Sequence, residues 1–263
     1  MNQSKTLLNP DVVIVGAGVA GIYMLHKLKN MGLKTVVLEK SDELGGTWNW
    51  NRYPGARCDI PSLEYSYQFD DELQQDWSWS EKYSAQPEIL EYLNHVADRF
   101  DLRKDINFEE EVLEAKYNEE SSLWNITTNK ENYESKFCIF ATGCLSIPNK
   151  PDIEGLDKFE GQLLSTSYWP REEIDLCGKN VAIIGTGSSS IQTIPEIAKD
   201  VKNLYVFQRT PNYSIPSNNG PMDKELEADI KSRYSDFRKE NWSNGFGIAG
   251  ISDEALIAES DID

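Results

Sequence analysis

Val12-Val13-Ile14-Val15-Gly16-Ala17-Gly18-Val19-Ala20-Gly21 sets the architecture of this chain. The first four residues are apolar and β-branched, as in a strand buried on both faces. The glycines that follow fit G-x-G-x-x-G. Tyr23, Met24, Leu25 and Leu28 then keep a helical spacing up to a stop at Gly32. Thr35-Val36-Val37-Leu38 reads as the next strand, with Glu39 at its C-terminal end. In this order Gly16 allows the tight turn, Gly18 lets backbone approach a pyrophosphate, and Gly21 lets helix and strand pack closely. The helix start offers N–H groups and a positive dipole end to phosphates, and Glu39 can accept from a ribose hydroxyl. A glycine turn in an α/β protein without a nucleotide is the structural alternative.

Composition narrows the surroundings of this unit. At 263 residues the chain has room for a real core. A net charge of -18 argues against nucleic acid or an anionic membrane surface as partner. No long apolar run is available to span a membrane, and Met1–Pro10 lacks a signal-peptide core; a cytoplasmic location is expected. Cys58, Cys138, Cys144 and Cys177 form neither a C-x-x-C pair nor a metal spacing, and read as reduced, mostly buried thiols. His26 and His95 lie in helical patterns and read as structural, so no metal site is expected.

Beyond Glu39, the segment Leu44–Asp59 is dense in Trp, Tyr, Gly and charge and shows no regular periodicity. Its rings must bury against something flat, either the core or a planar cofactor. Gln86–Phe100 reads as an amphipathic helix with Pro87 in the tolerated first turn. Glu111–Tyr117 and Leu123–Thr128 read as two meander strands. Lys136–Phe140 reads as a parallel strand returning to the first sheet, ending at Ala141-Thr142-Gly143, where small residues can pass close to a nucleotide. Pro148 and Pro151 open an irregular linker.

The opening pattern then recurs. Asn180–Ile184 is a strand, Gly185-Thr186-Gly187-Ser188-Ser189-Ser190 the turn, Ile191–Lys199 a helix despite Pro195, and Leu204–Phe207 the second strand. Ser190 stands where the third small residue belongs, and slightly looser packing is expected. Gln208-Arg209-Thr210 occupies the place of Glu39. An acid accepts from a ribose diol, whereas Arg209 can pair with a 2′-phosphate. Acid first and arginine second is the layout of a flavoprotein reduced by NADPH. Disulfide reductases share the plan but need a redox cysteine pair, which leaves the flavin monooxygenases.

Gly45-Gly46-Thr47-Trp48, Arg52–Asp59, Ala141-Thr142-Gly143, Phe159-x-Gly161 with Trp169-Pro170, Gly185-x-Gly187 and Gln208–Pro211 together resemble the type I Baeyer–Villiger monooxygenases, the phenylacetone and cyclohexanone monooxygenase group. The resemblance implies an α/β protein of two Rossmann-like dinucleotide-binding domains on the glutathione-reductase-like plan, the second truncated. Residues 1–145 would form the FAD-binding domain with its β-meander and 146–178 a linker. Residues 179–263 would begin the NADPH-binding domain and its helical insertion, around Ser252-Asp253-Glu254. It also implies that the aromatic loop lines the flavin.

By the same resemblance Gly16, Gly18, Ala20, Gly21, Glu39, Thr47, Trp48, Asp59, Tyr65 and Val112 would serve FAD. Arg57, Gly185, Gly187, Ser188, Ser189, Arg209 and Thr210 would serve NADPH, and Asp59 matches the active-site acid. The implied reaction turns a ketone into an ester or lactone with NADPH and O2. Ser165 replaces the fingerprint histidine, and the catalytic arginine falls outside this chain. A non-catalytic FAD/NADPH-binding remnant and a flavin monooxygenase acting on nitrogen or sulfur are the other readings.

Overall fold

The computed structural model describes residues 5–149, 151–245 and 247–248. In chain order the strands and helices are β1 (Leu7–Leu8), β2 (Val12–Val15), α1 (Val19–Asn30), β3 (Thr35–Leu38), α2 (Thr47–Trp50), α3 (Asp71–Asp76) and α4 (Gln86–Arg99). Then follow β4 (Ile106–Asn107), β5 (Val112–Asn118), β6 (Leu123–Thr128), β7 (Asn132–Ser135) and β8 (Phe137–Phe140). The last group is β9 (Asn180–Ile184), α5 (Ser188–Ile197), β10 (Asn203–Phe207), α6 (Lys224–Ser232) and α7 (Tyr234–Ser243). The chain separates into two compact units, one of Met1–Tyr53 and Ile89–Asp175, the other of Pro54–Glu88 and Leu176–Asp263.

The first unit holds a parallel sheet in the order β4-β3-β2-β8 and a second sheet in the order β1-β7-β6-β5. Strand β2 is hydrogen-bonded on both edges, Val12–Val15 pairing with Thr35–Leu38 on one side and Phe137–Phe140 on the other. Its backbone is therefore covered on both edges, and its Val12, Val13 and Ile14 side chains are buried while Val15 is half-buried. Helix α1 contributes Ile22, Leu25 and Leu28 to this core, each worth about 1.5–3 kcal/mol of burial. The buried Ile89, Tyr92, Leu93, Val96 and Ala97 of α4 lie along one helical face, as the sequence spacing predicts. Val13 and Leu38 share a cluster with Ile126 and Tyr133, so one core serves both sheets. The Tyr133 hydroxyl donates to buried Glu110 at 2.9 Å and accepts from Asn107 at 3.0 Å. Burial and the Glu110 carboxylate push that hydroxyl above its ordinary range.

In the second unit β9 and β10 pair in parallel, Asn180 opposite Asn203 through Ile184 opposite Phe207. Pro54–Glu88 is knitted to the later residues by backbone bonds: Lys82 N–H to the Gly220 carbonyl and Met222 N–H to that of Ser80. That explains why this segment groups with β9–α7 rather than with the strands that precede it. Arg238 of α7 stacks over Tyr234 and Phe237 and donates to Gln74 and Ser66. Lys231 donates to the carbonyls of Gln75 and Trp77.

Several local details differ from the sequence expectation. The segment after Gly46 contains a short helix, α2, because the Gly45 and Gly46 carbonyls accept from Trp48, Asn49 and Trp50. Helix α3 exists because Asp70 caps it, accepting from the Leu73 N–H at 2.7 Å. Helix α5 starts at Ser188 rather than Ile191, with Gly187 at its N-cap. The meander has an additional strand, β7, whose composition is mostly polar. Of the thiols, Cys58 is buried and Cys138 half-buried, but Cys144 and Cys177 are exposed, against the expectation of mostly buried cysteines. Among the described residues no helix is long and apolar enough to cross a membrane. Ser252-Asp253-Glu254 lie outside the described residues.

Candidate functional site

The first glycine turn joins β2 to α1 as the spacing requires. Gly16 has φ +102°, a conformation that favours glycine. A Cβ on Gly16 would sit 2.7 Å from the Ala141 carbonyl oxygen, so Ala141 and Thr142 lie against this turn. A Cβ on Gly21 would overlap the Gly16 carbonyl oxygen outright. Gly18 is the N-cap of α1, no side chain caps it, and the first helical turn carries no acid. Those features suit an incoming phosphate. Gly18 also faces Gly46, where a Cβ would come within 2.8 Å of the Gly18 Cα. This approach brings exposed Thr47 and buried Trp48 to the turn. Ala20 is exposed on the first turn of α1, and Val112 begins β5, half-buried against the shared core.

Glu39 is 5 % exposed at the end of β3. One carboxylate oxygen accepts from the Ala17 N–H at 2.7 Å and the other from the Ser41 N–H at 2.8 Å. The acid therefore ties the glycine turn to the segment after β3, a role the spacing alone does not reveal. Ser41 in turn accepts from buried Asn49 at 2.7 Å. Arg171 pairs with Asp42 and holds its carboxyl below the ordinary range, while Tyr168 meets Trp50 edge-on at 5.6 Å.

The second unit carries Arg57, Asp59 and Tyr65. Arg57 donates to Glu81 at 2.7 Å and to the Tyr83 carbonyl at 3.0 Å, and Asn219 donates to the same Glu81 oxygen at 2.8 Å. Burial works against the Glu81 anion, but these bonds hold its carboxyl below the ordinary value. The Arg57 guanidinium is thus already engaged by a carboxylate. Asp59 is exposed and accepts from Gln192 Nε2 at 2.9 Å. Tyr65 is half-buried, its N–H on the Pro61 carbonyl at 3.0 Å.

The second glycine turn repeats the geometry of the first, with Gly185 at φ +106° and Gly187 at an N-cap that no side chain fills. Here, though, a Cβ on either glycine would meet nothing within 4 Å among the described residues. Ser188 and Ser189 form the first turn of α5. Gly185 N–H donates to the Phe207 carbonyl at 2.9 Å, which ties the turn to the end of β10, where Arg209 and Thr210 stand exposed. Gln208 donates to the Thr186 hydroxyl and Asn212 to the Thr186 carbonyl. Gln192, Asn49, Ser41 and Glu81 carry no motif, and only the coordinates reveal them.

A family model described as pyridine nucleotide-disulphide oxidoreductase matches residues 13–253. The chain belongs to that family. Within the pyridine nucleotide-disulphide oxidoreductases its similarity runs to monooxygenases, as the sequence resemblance anticipates. It is 44 % identical over 255 residues to a Baeyer–Villiger monooxygenase of Pseudooceanicola batsensis, covering 95 % of this chain and 46 % of the relative. It is 39 % identical over 255 residues to a phenazine N-monooxygenase of Lysobacter antibioticus, covering 95 % of this chain and 47 % of the relative. A solved steroid monooxygenase bound to NADP superimposes with a TM-score of 0.89 at 46 % identity, covering 95 % of this chain and 50 % of that one. The chain spans about half the length of the relatives it matches. Although the family description names a disulphide, Cys58, Cys138 and Cys144 are free thiols. Burial pushes the Cys58 and Cys138 thiols up to about 11, which keeps them protonated and poorly nucleophilic at neutral pH.

Proposed function

We propose that the first glycine turn holds FAD, that the second holds NADPH, and that the chain forms part of a Baeyer–Villiger monooxygenase. Its substrate would be a ketone. One atom of O2 enters beside the carbonyl to give an ester or lactone, the other leaves as water, and NADPH supplies the electron pair. The observation that carries this reading is the contrast at the strand ends. A buried carboxylate, Glu39, braces the first turn, and an exposed guanidinium, Arg209, stands beside the second.

The residues fit the cofactors. Glycines 16 and 46 leave no room for side chains where backbone must come close to a pyrophosphate, and α1 starts at Gly18 without a capping side chain. Glu39 gives one oxygen to each of two amides and keeps acceptor capacity for a ribose hydroxyl. Arg209 can take a 2′-phosphate through its bidentate fork, with Ser188 and Ser189 N–H groups facing the bridging phosphates. FAD, when bound, supplies the oxygen-activating chemistry. The polypeptide orients the cofactors, excludes water and offers the Asp59 carboxylate as the active-site acid. In this reading residues 1–145 serve FAD, 146–178 link, and 179–263 begin the NADPH domain. The free thiols of Cys58, Cys138 and Cys144 support a cytoplasmic location, and the acidic charge supports no nucleic-acid partner.

The test is spectroscopic. The purified chain should carry flavin absorbance that bleaches with NADPH, faster than with NADH, and returns in air, with ester formed when a ketone is added. Flavin without bleaching would favour the non-catalytic remnant, and no flavin at all would sink the first site. Similarity to the phenazine N-monooxygenase supports nitrogen oxygenation as the second reading; an N-oxide formed in place of an ester would select it.

A further inference from the structure

We propose that Gln192 is a positioning residue for the Asp59 carboxylate. The inference rests on the reading of Asp59 as the active-site acid. Gln192 lies on the second turn of α5, the helix whose first turn closes the second glycine turn. Its side-chain amide hydrogen-bonds the Arg57 backbone and the Asp59 carboxylate. Oε1 accepts from the Arg57 N–H at 3.3 Å, and Nε2 donates to the Arg57 carbonyl at 3.1 Å and to Asp59 Oδ1 at 2.9 Å.

The orientation of this amide follows from its neighbours. A backbone N–H can only donate, so the amide oxygen must face the Arg57 nitrogen and the NH2 must face the opposite way. There it meets a carboxylate, which only accepts, in a charge-assisted bond. Among the described residues this is the hydrogen bond that fixes the direction of the Asp59 side chain, which otherwise stands exposed on a loop. The loop is seated on the same helical turn through Gly55. A Cβ on Gly55 would overlap the Gln192 carbonyl oxygen and come within 2.9 Å of Glu196 Cγ. Thr193 and Ile197 anchor the helix by burial, and a side chain aimed from a helix is placed more sharply than one aimed from a loop. One rigid element thus presents its N-terminal amides to the phosphate turn and its amide side chain to the acid.

Two variants separate positioning from packing. Gln192→Met keeps the length and helix preference but removes the bonds to Arg57 and Asp59. Gln192→Glu keeps an acceptor for the Arg57 N–H and places a second carboxylate against Asp59. On the full chain, amide exchange at Arg57 should speed up about ten-fold in Gln192→Met and stay near wild type in Gln192→Glu. The 13C resonance of the Asp59 carboxyl, assigned by its loss in Asp59→Asn, should shift in both. With FAD loaded, NADPH bleaching should slow about ten-fold in both, with half-saturation moved less than about two-fold. Combined with Asp59→Asn, neither variant should add to the loss. An unmoved Asp59 resonance, or losses that multiply in the double variants, would overturn the proposal. A wild-type chain that takes up no flavin would refute the functional reading instead, and the exchange and resonance measurements would still decide the positioning role.

Discussion

The two βαβ units of this chain share a turn and differ in almost everything around it. Gly16 at φ +102° and Gly185 at φ +106° make the same bend from strand into helix. Strand β2 has a partner on each side and its Ile14 is fully buried, whereas among the described residues β9 is paired with β10 alone, with Ile184 65 % exposed and Phe207 58 % exposed. The motif dictates the bend because only glycine takes that conformation without strain. Burial is dictated by how many elements stack around the strand. Gly21 is hemmed in by backbone, while among the described residues nothing crowds Gly185 or Gly187. A glycine in one turn is therefore a packing requirement, and in the other a conformational one.

The largest effect should come from testing that distinction at the third small residue. Gly21→Ala drives a methyl into the Gly16 carbonyl oxygen, and overpacking of this kind costs about 1–3 kcal/mol or more. The unfolding midpoint of the first unit should fall sharply and flavin should be lost. Ser190 already carries a Cβ at the equivalent place in the second turn, and Ser190→Ala, which only removes its hydroxyl, should stay within about 0.5 kcal/mol. Urea unfolding of both variants checks this; similar midpoints would mean that the two turns are equally tight after all.

The strand ends come next. Glu39→Gln replaces an acceptor oxygen with an NH2 that cannot accept from Ala17 or Ser41, leaving one buried amide unsatisfied at a cost of about 1–3 kcal/mol. Arg209→Ala removes an exposed side chain and should leave stability within about 0.5 kcal/mol. Its effect should fall on cofactor choice, with the preference for NADPH over NADH dropping about ten-fold. If Glu39→Gln unfolds like wild type, the acid is a ligand residue only; if Arg209→Ala keeps the preference, another cation reads the 2′-phosphate.

Much of this contrast was legible in the sequence, and the reasons for the remainder are physical. Strand, turn and helix in both units follow from β-branched runs and glycine spacing, and α4 from its apolar stripe. The meander strands β5 and β6 follow from alternation. Strand β7 did not announce itself because Asn132-Tyr133-Glu134-Ser135 is polar; its place comes from pairing with β6 and from buried Tyr133. The sequence marks Glu39 as the acid after a strand, but not its bonds to Ala17 and Ser41, since a side chain's partners depend on how loops fold back. For the same reason the sequence, which through the resemblance offers Arg57 to NADPH, does not show its bond to Glu81. Gln192 carries no pattern at all, because a lone amide on a helix gains its meaning only from the loop laid against it.

A smaller and pH-linked effect compares the units at their thiols. Burial raises Cys58, in the second, and Cys138, in the first, from 9.0 to about 11. Below pH 9 both states keep these protons and stability is unaffected. Between about 9 and 11 the unfolded chain releases them while the folded chain does not, so stability is lost as pH rises through that window. Cys58→Ala and Cys138→Ala should each flatten part of the alkaline decline in the unfolding midpoint. Alkylation at neutral pH should reach exposed Cys144 and Cys177 first.

The smallest effect is expected where the first unit is held by charge at its surface. Arg171 and Asp42 are both about half exposed, with side-chain exposures of 46 % and 52 %, and water and salt screen such a pair. Tyr168 against Trp50 is the apolar contact of the same segment, and ring pairs are not weakened by salt. Arg171→Ala should therefore leave the unfolding midpoint unchanged within error at physiological salt, whereas Tyr168→Ala should lower it and free Trp50 to report a changed fluorescence. A midpoint lowered more by Arg171→Ala, and restored by salt in neither variant, would mean that the ion pair rather than the ring contact pins the linker to its unit.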